Sequence, residues 1–405
     1  MRQDQGMRFS DEARRARLAR RHAIHPEHRL GDPRAVAQAM VALHATEPGT
    51  VHLSVAARMD NPTVDAVETA LYEDRSIVKQ LAMRRTLFGF GRELLPAVLG
   101  SASARVATQQ RSQIAKDLER HGVTTDGATW IDRASAAVIA RLANGDALGA
   151  AQLREELPEL AGRTKVGPDA RKWDVSTSFA PRLLTLLGAE GRIVRGINAG
   201  HWRTSRPAWT SMSAWLGHAL EPLDVDQGYA ELVTRWLAAF GPGTETDIVW
   251  WLGATKSAVR RALADVSAVP VELDSGATGY TLPDDDGPGD DESDTPVGEW
   301  AALLPVLDPT VMGWKERDFY LDHAHVPYLF DSNGNAGTTA WLNGRIIGCW
   351  VQDDHSRVQV ITTETLSARD LARLREEAER LTGFLDGVVI SSVYKSRQMK
   401  GERLP

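Results

Sequence analysis

Glu245-Thr246-Asp247-Ile248-Val249-Trp250-Trp251-Leu252-Gly253-Ala254-Thr255-Lys256-Ser257-Ala258-Val259-Arg260-Arg261-Ala262-Leu263 decides the fold class of this 405-residue chain. Gly241-Pro242-Gly243-Thr244 caps a short helix, Gly253-Ala254-Thr255 makes a tight turn, and a second helix opens at Lys256 with Lys256, Arg260 and Arg261 outermost. A short helix, a glycine turn and a second, basic helix is the order of a helix-turn-helix. Upstream, Tyr229 to Phe240 reads as a helix because Leu232, Trp236 and Phe240 recur at i, i+4 and i+8. Downstream, Val269 to Leu273 and Tyr280 to Leu282, joined through a glycine-containing turn, supply a wing.

A helix-turn-helix can serve packing alone, but repetition makes that less tenable. Residues 106–222 predict helices over Ile131 to Leu142, Ala151 to Leu157 and Phe179 to Leu187. A basic, aromatic hairpin follows, turning at Asn198-Ala199-Gly200 and carrying His201-Trp202-Arg203. Residues 8–105 predict a basic helix from Arg14 to His22, a second helix from Asp32-Pro33 through Leu43, and further helices over Thr50 to Met59 and Val64 to Tyr72. A strand-like run, Ile77 to Phe90, then carries Arg84 and Arg85. Behind residue 283 an acidic, mobile linker is expected over 284–297. There the period changes to two: Gly337 to Leu342 and Arg345 to Gln352 flank Asn343-Gly344, the strongest short hairpin signal. Arg357 to Thr363, a helix capped at Ser367, and a last strand over Val388 to Tyr394 complete it. The expectation is an α+β chain: tandem winged helices over 8–105, 106–222 and 223–283, the linker, and a β-barrel-like domain with one helix over 298–405.

Composition sets the bounds. No run of 18 apolar residues spans a membrane, and the arginine-rich first 30 residues lack the apolar core of a signal peptide. The lone Cys349 excludes an intramolecular disulfide and a cysteine zinc cluster, so a reducing compartment, the cytoplasm, is expected; the chain is further expected to be a monomer and to sit on the nucleoid if it binds DNA. The net charge of −7 is matched by seven acids between Asp284 and Asp294, while residues 1–30 carry eight arginines against four acids. Local field rather than net charge decides nucleic-acid binding, so a polyanionic partner stays open. No phosphate-binding glycine loop, dinucleotide fingerprint, H-E-x-x-H or G-x-S-x-G occurs, and His323-Ala324-His325 has no third ligand at a recognisable spacing. No cofactor or metal is expected.

One stretch departs from plain packing. In Val41-Ala42-Leu43-His44-Ala45-Thr46-Glu47-Pro48 an apolar helical run ends in two polar side chains, His44 and Thr46, at i and i+2. Either Thr46 caps the next helix, with Glu47 and Pro48 in its first turn, or both groups face one spot in a cleft.

Five stretches together resemble the winged-helix DNA glycosylases of the AlkZ/YcaQ type, which unhook interstrand crosslinks and bulky alkyl adducts. They are Leu43-His44-Ala45-Thr46-Glu47-Pro48; Met83-Arg84-Arg85-Thr86-Leu87-Phe88; Gly241-Pro242-Gly243-Thr244-x-x-Asp247-x-x-Trp250-Trp251; Leu304-Pro305-x-Leu307-Asp308-Pro309-x-x-Met312-Gly313-Trp314-Lys315-x-Arg317; and Asn343-Gly344-Arg345-x-x-Gly348. The resemblance implies a concave cradle for duplex DNA and hydrolysis of the N-glycosidic bond of an alkylated or crosslinked purine. The family's catalytic Gln-x-Gln or Gln-x-Asp falls on His44 and Thr46 here. A neutral imidazole with an ordinary pKa near ~6.5 would accept the proton of the attacking water, with activity falling below about pH 6, and Thr46 would hold the same water or a sugar-phosphate oxygen. The substitution at both positions also motivates a DNA-binding regulator or damage sensor without activity; a protein-interaction scaffold is the third reading. Arg84, Arg85, Lys256, Arg260, Arg261, Trp314 and Arg317 are the expected DNA contacts.

Overall fold

Ser10 starts the first helix by accepting the Ala13 N–H on its hydroxyl, and Asp11–Arg21 follows. The structure is a computed structural model that describes residues 7–165, 176–285 and 297–403. Of the expected acidic linker, all but Asp284, Asp285 and Val297 lie outside the described residues.

Asp32 caps the next helix, but it spans only Pro33–Ala39 rather than reaching Leu43. Val41 takes a φ of +61°, reversing the chain, and Leu43–His44 becomes a short strand. That strand pairs antiparallel with Thr86–Gly91, which pairs in turn with Ile77–Ala82. The helix Pro48–Ala56 follows at once. Residues 95–120 contain a long helix, Ala104–Arg120, that periodicity alone did not single out. Gly127–Leu142, Ala150–Glu156 and Ala180–Ala189 then lead to the hairpin of Ile193–Asn198 and Pro207–Ser211, as expected.

The deciding stretch folds as read. Val225–Phe240, Glu245–Leu252 and Lys256–Asp265 are helices, Thr244 and Asp247 form a reciprocal capping box, and Gly253 turns at φ +59°. The hairpin of Val269–Leu273 and Thr278–Thr281 is widened by Gly243–Thr244 on one edge and, in parallel, by Arg8–Phe9 on the other. The first helix is held to this unit by charge: Asp285 accepts from Arg17 at 2.8 Å and from Arg21 at 2.6 Å. Arg14 lies 3.7 Å from the Phe319 ring centre. Much of the positive charge read in the first 30 residues is therefore committed inside the molecule.

The units do not form separate beads. One core runs from Leu18 and Phe90 through Trp236, Trp251 and Trp314 to Trp341, whereas most buried apolar residues from Ala107 to Trp209 build a second core of their own. Arg58 and Asp308, both fully buried, pair at 2.7 Å and join the first unit to the C-terminal part.

The expected barrel is an open sheet instead. Ala301–Leu304, Thr339–Leu342, Arg345–Gln352 and Val358–Thr362 run antiparallel in that order, so both outer strands are edges. Four strands are too few to close a barrel, and the helix Ala368–Leu385 covers one face through Leu374, Ala378, Leu381 and Leu385. The expected last strand over 388–394 is an irregular segment.

Candidate active site and nucleic-acid interface

His44 is placed by a strand, not by a helix end. Its cross-strand partner is Phe88, and the two rings lie 4.6 Å apart between centres. The side chain is only 4% exposed, and its Nδ1 is buried without a hydrogen-bond partner. Burial, with Arg84 adding a smaller contribution, pushes its pKa down to about 3. The imidazole is thus neutral at any ordinary pH. A base that weak takes up little of a water's proton, which counts against the expected general-base role and the expected decline below about pH 6. What remains is one donor and one acceptor nitrogen, the two kinds of group that a glutamine amide also offers, though the amide has two N–H donors.

Thr46 is exposed, two residues further along. It caps nothing: Glu47 is the N-cap of the following helix and makes no side-chain cap bond. Glu47 Oε1 instead accepts the Val393 N–H at 3.1 Å. Ala45 and Pro48 line a narrow cleft together with Tyr72, Lys79 and Arg195. There Lys79 Nζ donates to the Tyr72 hydroxyl at 2.7 Å, and burial holds Lys79 down at about 8 against the opposing pull of Glu68. None of these three was marked by the sequence, because a lysine inside a strand pattern reads as an outward-facing position.

The hairpin of residues 77–91 turns through Arg84 and Arg85, with φ of +52° and +59°. Left-handed backbone at two successive non-glycine residues is costly, on the order of 1–3 kcal/mol each, and holds where the surroundings compel it. For Arg84 the surroundings are Trp250, whose ring centre lies 4.0 Å from the guanidinium carbon. Arg317 approaches the same ring at 5.0 Å and the Phe330 ring at 4.9 Å. Arg317 donates to the Val311 carbonyl at 3.0 Å, but its Nη2 is buried and unpartnered. Burial, then the charge of Arg317, lowers Arg84 to about 10. Two half-buried guanidinium groups over one indole concentrate positive charge within reach of His44. Arg85 is exposed and lies against the Gln110 amide, whose oxygen meets Arg85 Nη2 at 3.0 Å when turned towards it.

The remaining expected contacts divide. Lys256 is exposed at the start of its helix. Arg260 is exposed but held by Glu245 at 2.7 Å, and Arg261 by Asp265 at 3.2 Å and Asp226 at 3.4 Å. Trp314 is 2% exposed, stacked on His22 and edge-on to Phe240 and Phe319, so it has no surface to offer DNA. His323–His325 form a single turn capped by Asp322. Among the described residues no group of three or more His, Cys, Asp or Glu could hold a metal ion, and no helix is long and apolar enough to cross a membrane.

The quoted stretches meet in space. Asp247 Oδ1 accepts the N–H groups of Lys315 and Glu316, each at 2.8 Å, and so ties the helix-turn-helix to the segment that carries Arg317. Arg84 from the first hairpin and Arg317 from the C-terminal segment are thus gathered onto Trp250 of one helix-turn-helix. Comparison with known proteins gives the protein a family: a family model described as DNA glycosylase AlkZ-like matches residues 37–384, and the chain belongs to that family. Among solved structures it is similar in fold to the Streptomyces sahachiroi DNA glycosylase AlkZ. The two share 19% identity and a TM-score of 0.73 over 93% of this chain and 98% of that one. No curated protein matches in sequence.

Proposed function

We propose that this chain is a DNA-repair glycosylase that hydrolyses the N-glycosidic bond of an alkylated or crosslinked purine in duplex DNA, with His44 and Thr46 holding the attacking water. The observation that carries the reading is the buried, unpartnered Nδ1 of His44, on a short strand of the family's matched region and two residues before exposed Thr46. A buried polar atom left without a partner costs on the order of 1–3 kcal/mol, which a bound water recovers. When the purine is alkylated at N3 or N7 the leaving base already carries positive charge and departs without strong acid assistance. The work left to the protein is to orient water and to avoid repelling a cationic sugar. An imidazole that stays neutral meets the second need, because a protonated ring would oppose the developing charge.

Duplex DNA would lie on Arg84, Arg85 and Arg317, with Lys256, Arg260 and Arg261 on the second helix of the helix-turn-helix. The three helical units with their hairpins act as tandem winged helices, the chain works as a monomer, and its place is the cytoplasm, on the nucleoid when DNA-bound. The low pKa of His44 favours a second reading, a damage sensor that binds without cleaving. Release of N7-methylguanine from a duplex oligonucleotide by the wild type, lost in His44→Ala and reduced in Thr46→Ala, supports the enzyme. Tight, salt-dependent binding with no base released supports the sensor.

A further inference from the structure

Three parts of the chain converge beside Thr46. The start of the helix Pro48–Ala56 meets the tip of the second hairpin, where a Cβ added at Gly49 would lie 3.4 Å from Trp202. The same point is 3.9 Å from Ile390, which belongs to the irregular segment after the last helix. That segment carries Val393, 84% exposed, the most exposed large apolar side chain of the described residues.

Its backbone is nevertheless fixed. Gln352 accepts the Ile390 N–H at 2.8 Å and donates to the Val388 carbonyl at 2.9 Å. Arg203, from the hairpin tip, donates to the Val389 carbonyl at 2.6 Å. Glu47, next in sequence to Thr46, receives the Val393 N–H. Downstream, Ser396 and Gln398 are buried. An apolar side chain is thus held out into solvent on a braced loop, with exposed Lys395 two residues on, exposed Arg203 bound to its backbone, and the carboxylates of Glu47 and Asp331 facing the neighbouring Tyr394. A lone valine in water gains nothing for folding; an apolar tip on a rigid mount suits insertion between stacked bases, with Lys395 and Arg203 placed to meet the flanking phosphates.

We infer that Val393 is a wedge that enters the base stack of duplex DNA at the lesion, unstacking the nucleotide presented to His44 and Thr46. The inference rests on the glycosylase reading for its purpose but not for its test. The loop lies beyond the end of the matched family region at residue 384. Val393 is therefore a positioning residue proposed for this chain itself.

The test uses the full chain, a duplex carrying one N7-methylguanine, and 2-aminopurine as the neighbouring base. Wild type should raise 2-aminopurine fluorescence on binding and release the modified base. Val393→Ala should lose most of that rise and slow single-turnover release about tenfold, with affinity within about twofold, since unstacking precedes chemistry. Val393→Leu should retain both signals. Placing the lesion in an unpaired bulge should restore Val393→Ala to within about twofold of wild type, because the stack is already open there. A fluorescence rise that depends on Val393 with no base released would support the wedge and overturn the glycosylase reading. No rise with wild type, or an alanine variant equal to wild type in fluorescence and release, would overturn the wedge.

Discussion

The guanidinium carbon of Arg84 lies 4.0 Å from the centre of the Trp250 ring. This contact joins the turn of the first hairpin to the first helix of the helix-turn-helix, across 166 positions of sequence. It also fixes where this positive charge sits. Truncating Trp250 to alanine should cost about 1–2 kcal/mol in urea unfolding, the scale of the cation–π contacts it removes, and weaken DNA binding as Arg84 and Arg317 lose their common support. Trp250→Phe should keep most of both. An alanine variant with wild-type unfolding and affinity would show that the ring is incidental.

His44 makes stability depend on pH in a fixed direction. Its folded pKa, about 3, lies below the unfolded value near 6.5, so the unfolded chain binds the proton first. The stability tied to the neutral ring is fully present above about pH 6.5 and is lost progressively as pH falls towards about 3. At pH 5 that amounts to about 2 kcal/mol relative to pH 7, and His44→Gln should remove this part of the slope. Comparing urea midpoints of the two proteins at pH 7 and pH 5 reads it directly; parallel losses would put the titration elsewhere.

The same value makes base release insensitive to pH between about 5 and 8 as far as His44 is concerned. A single-turnover rate profile over that range should be level. A decline with an apparent midpoint near 6.5 would mean that His44 titrates normally and that its burial is relieved when DNA binds.

Lys256 and Arg260 sit on one helix but differ in what they have to release. Arg260 must give up Glu245 before it can contact a phosphate, whereas Lys256 is exposed at the helix start. Lys256→Ala should therefore flatten the plot of log affinity against log salt by about 0.9, one phosphate contact, and Arg260→Ala by less. Equal slopes for Lys256→Ala and wild type would remove this helix from the interface.

Arg58 and Asp308 test the junction rather than the site. Asp308→Ala leaves a guanidinium buried with only the Ser54 carbonyl and the Thr310 hydroxyl for partners. A loss of about 3–5 kcal/mol on urea unfolding is expected. A loss below about 1 kcal/mol would mean that the junction relaxes and admits water.

What could be read from the sequence follows local chemistry. The helix-turn-helix was legible because Thr244, Gly253 and the 3.6-residue apolar period all act within a few residues. Asn343-Gly344 was legible for the same reason. The helix before His44 was read four residues too long, because Met40 to Leu43 continue an apolar run and nothing local announces that Val41 turns left-handed. The barrel failed because closure depends on how many strands meet, which no strand states by itself. Trp314 was misplaced for a related reason: an aromatic beside Lys315 and Arg317 looks like a binding residue until Phe240 and His22 are seen around it. Lys79, Arg195 and Val393 were out of reach, since their importance comes only from neighbours that the fold brings near.

Arg8–Phe9 pairs with Val269–Leu273, and Arg17 and Arg21 grip Asp285. These partners leave the ribosome more than 260 residues later, on the order of tens of seconds at usual synthesis rates. The helix-turn-helix unit therefore cannot complete its sheet until its own last strands have emerged and the earliest part of the chain has waited for them. Shortening the chain at residue 22 would damage residues 223–285 at least as much as the unit it appears to trim.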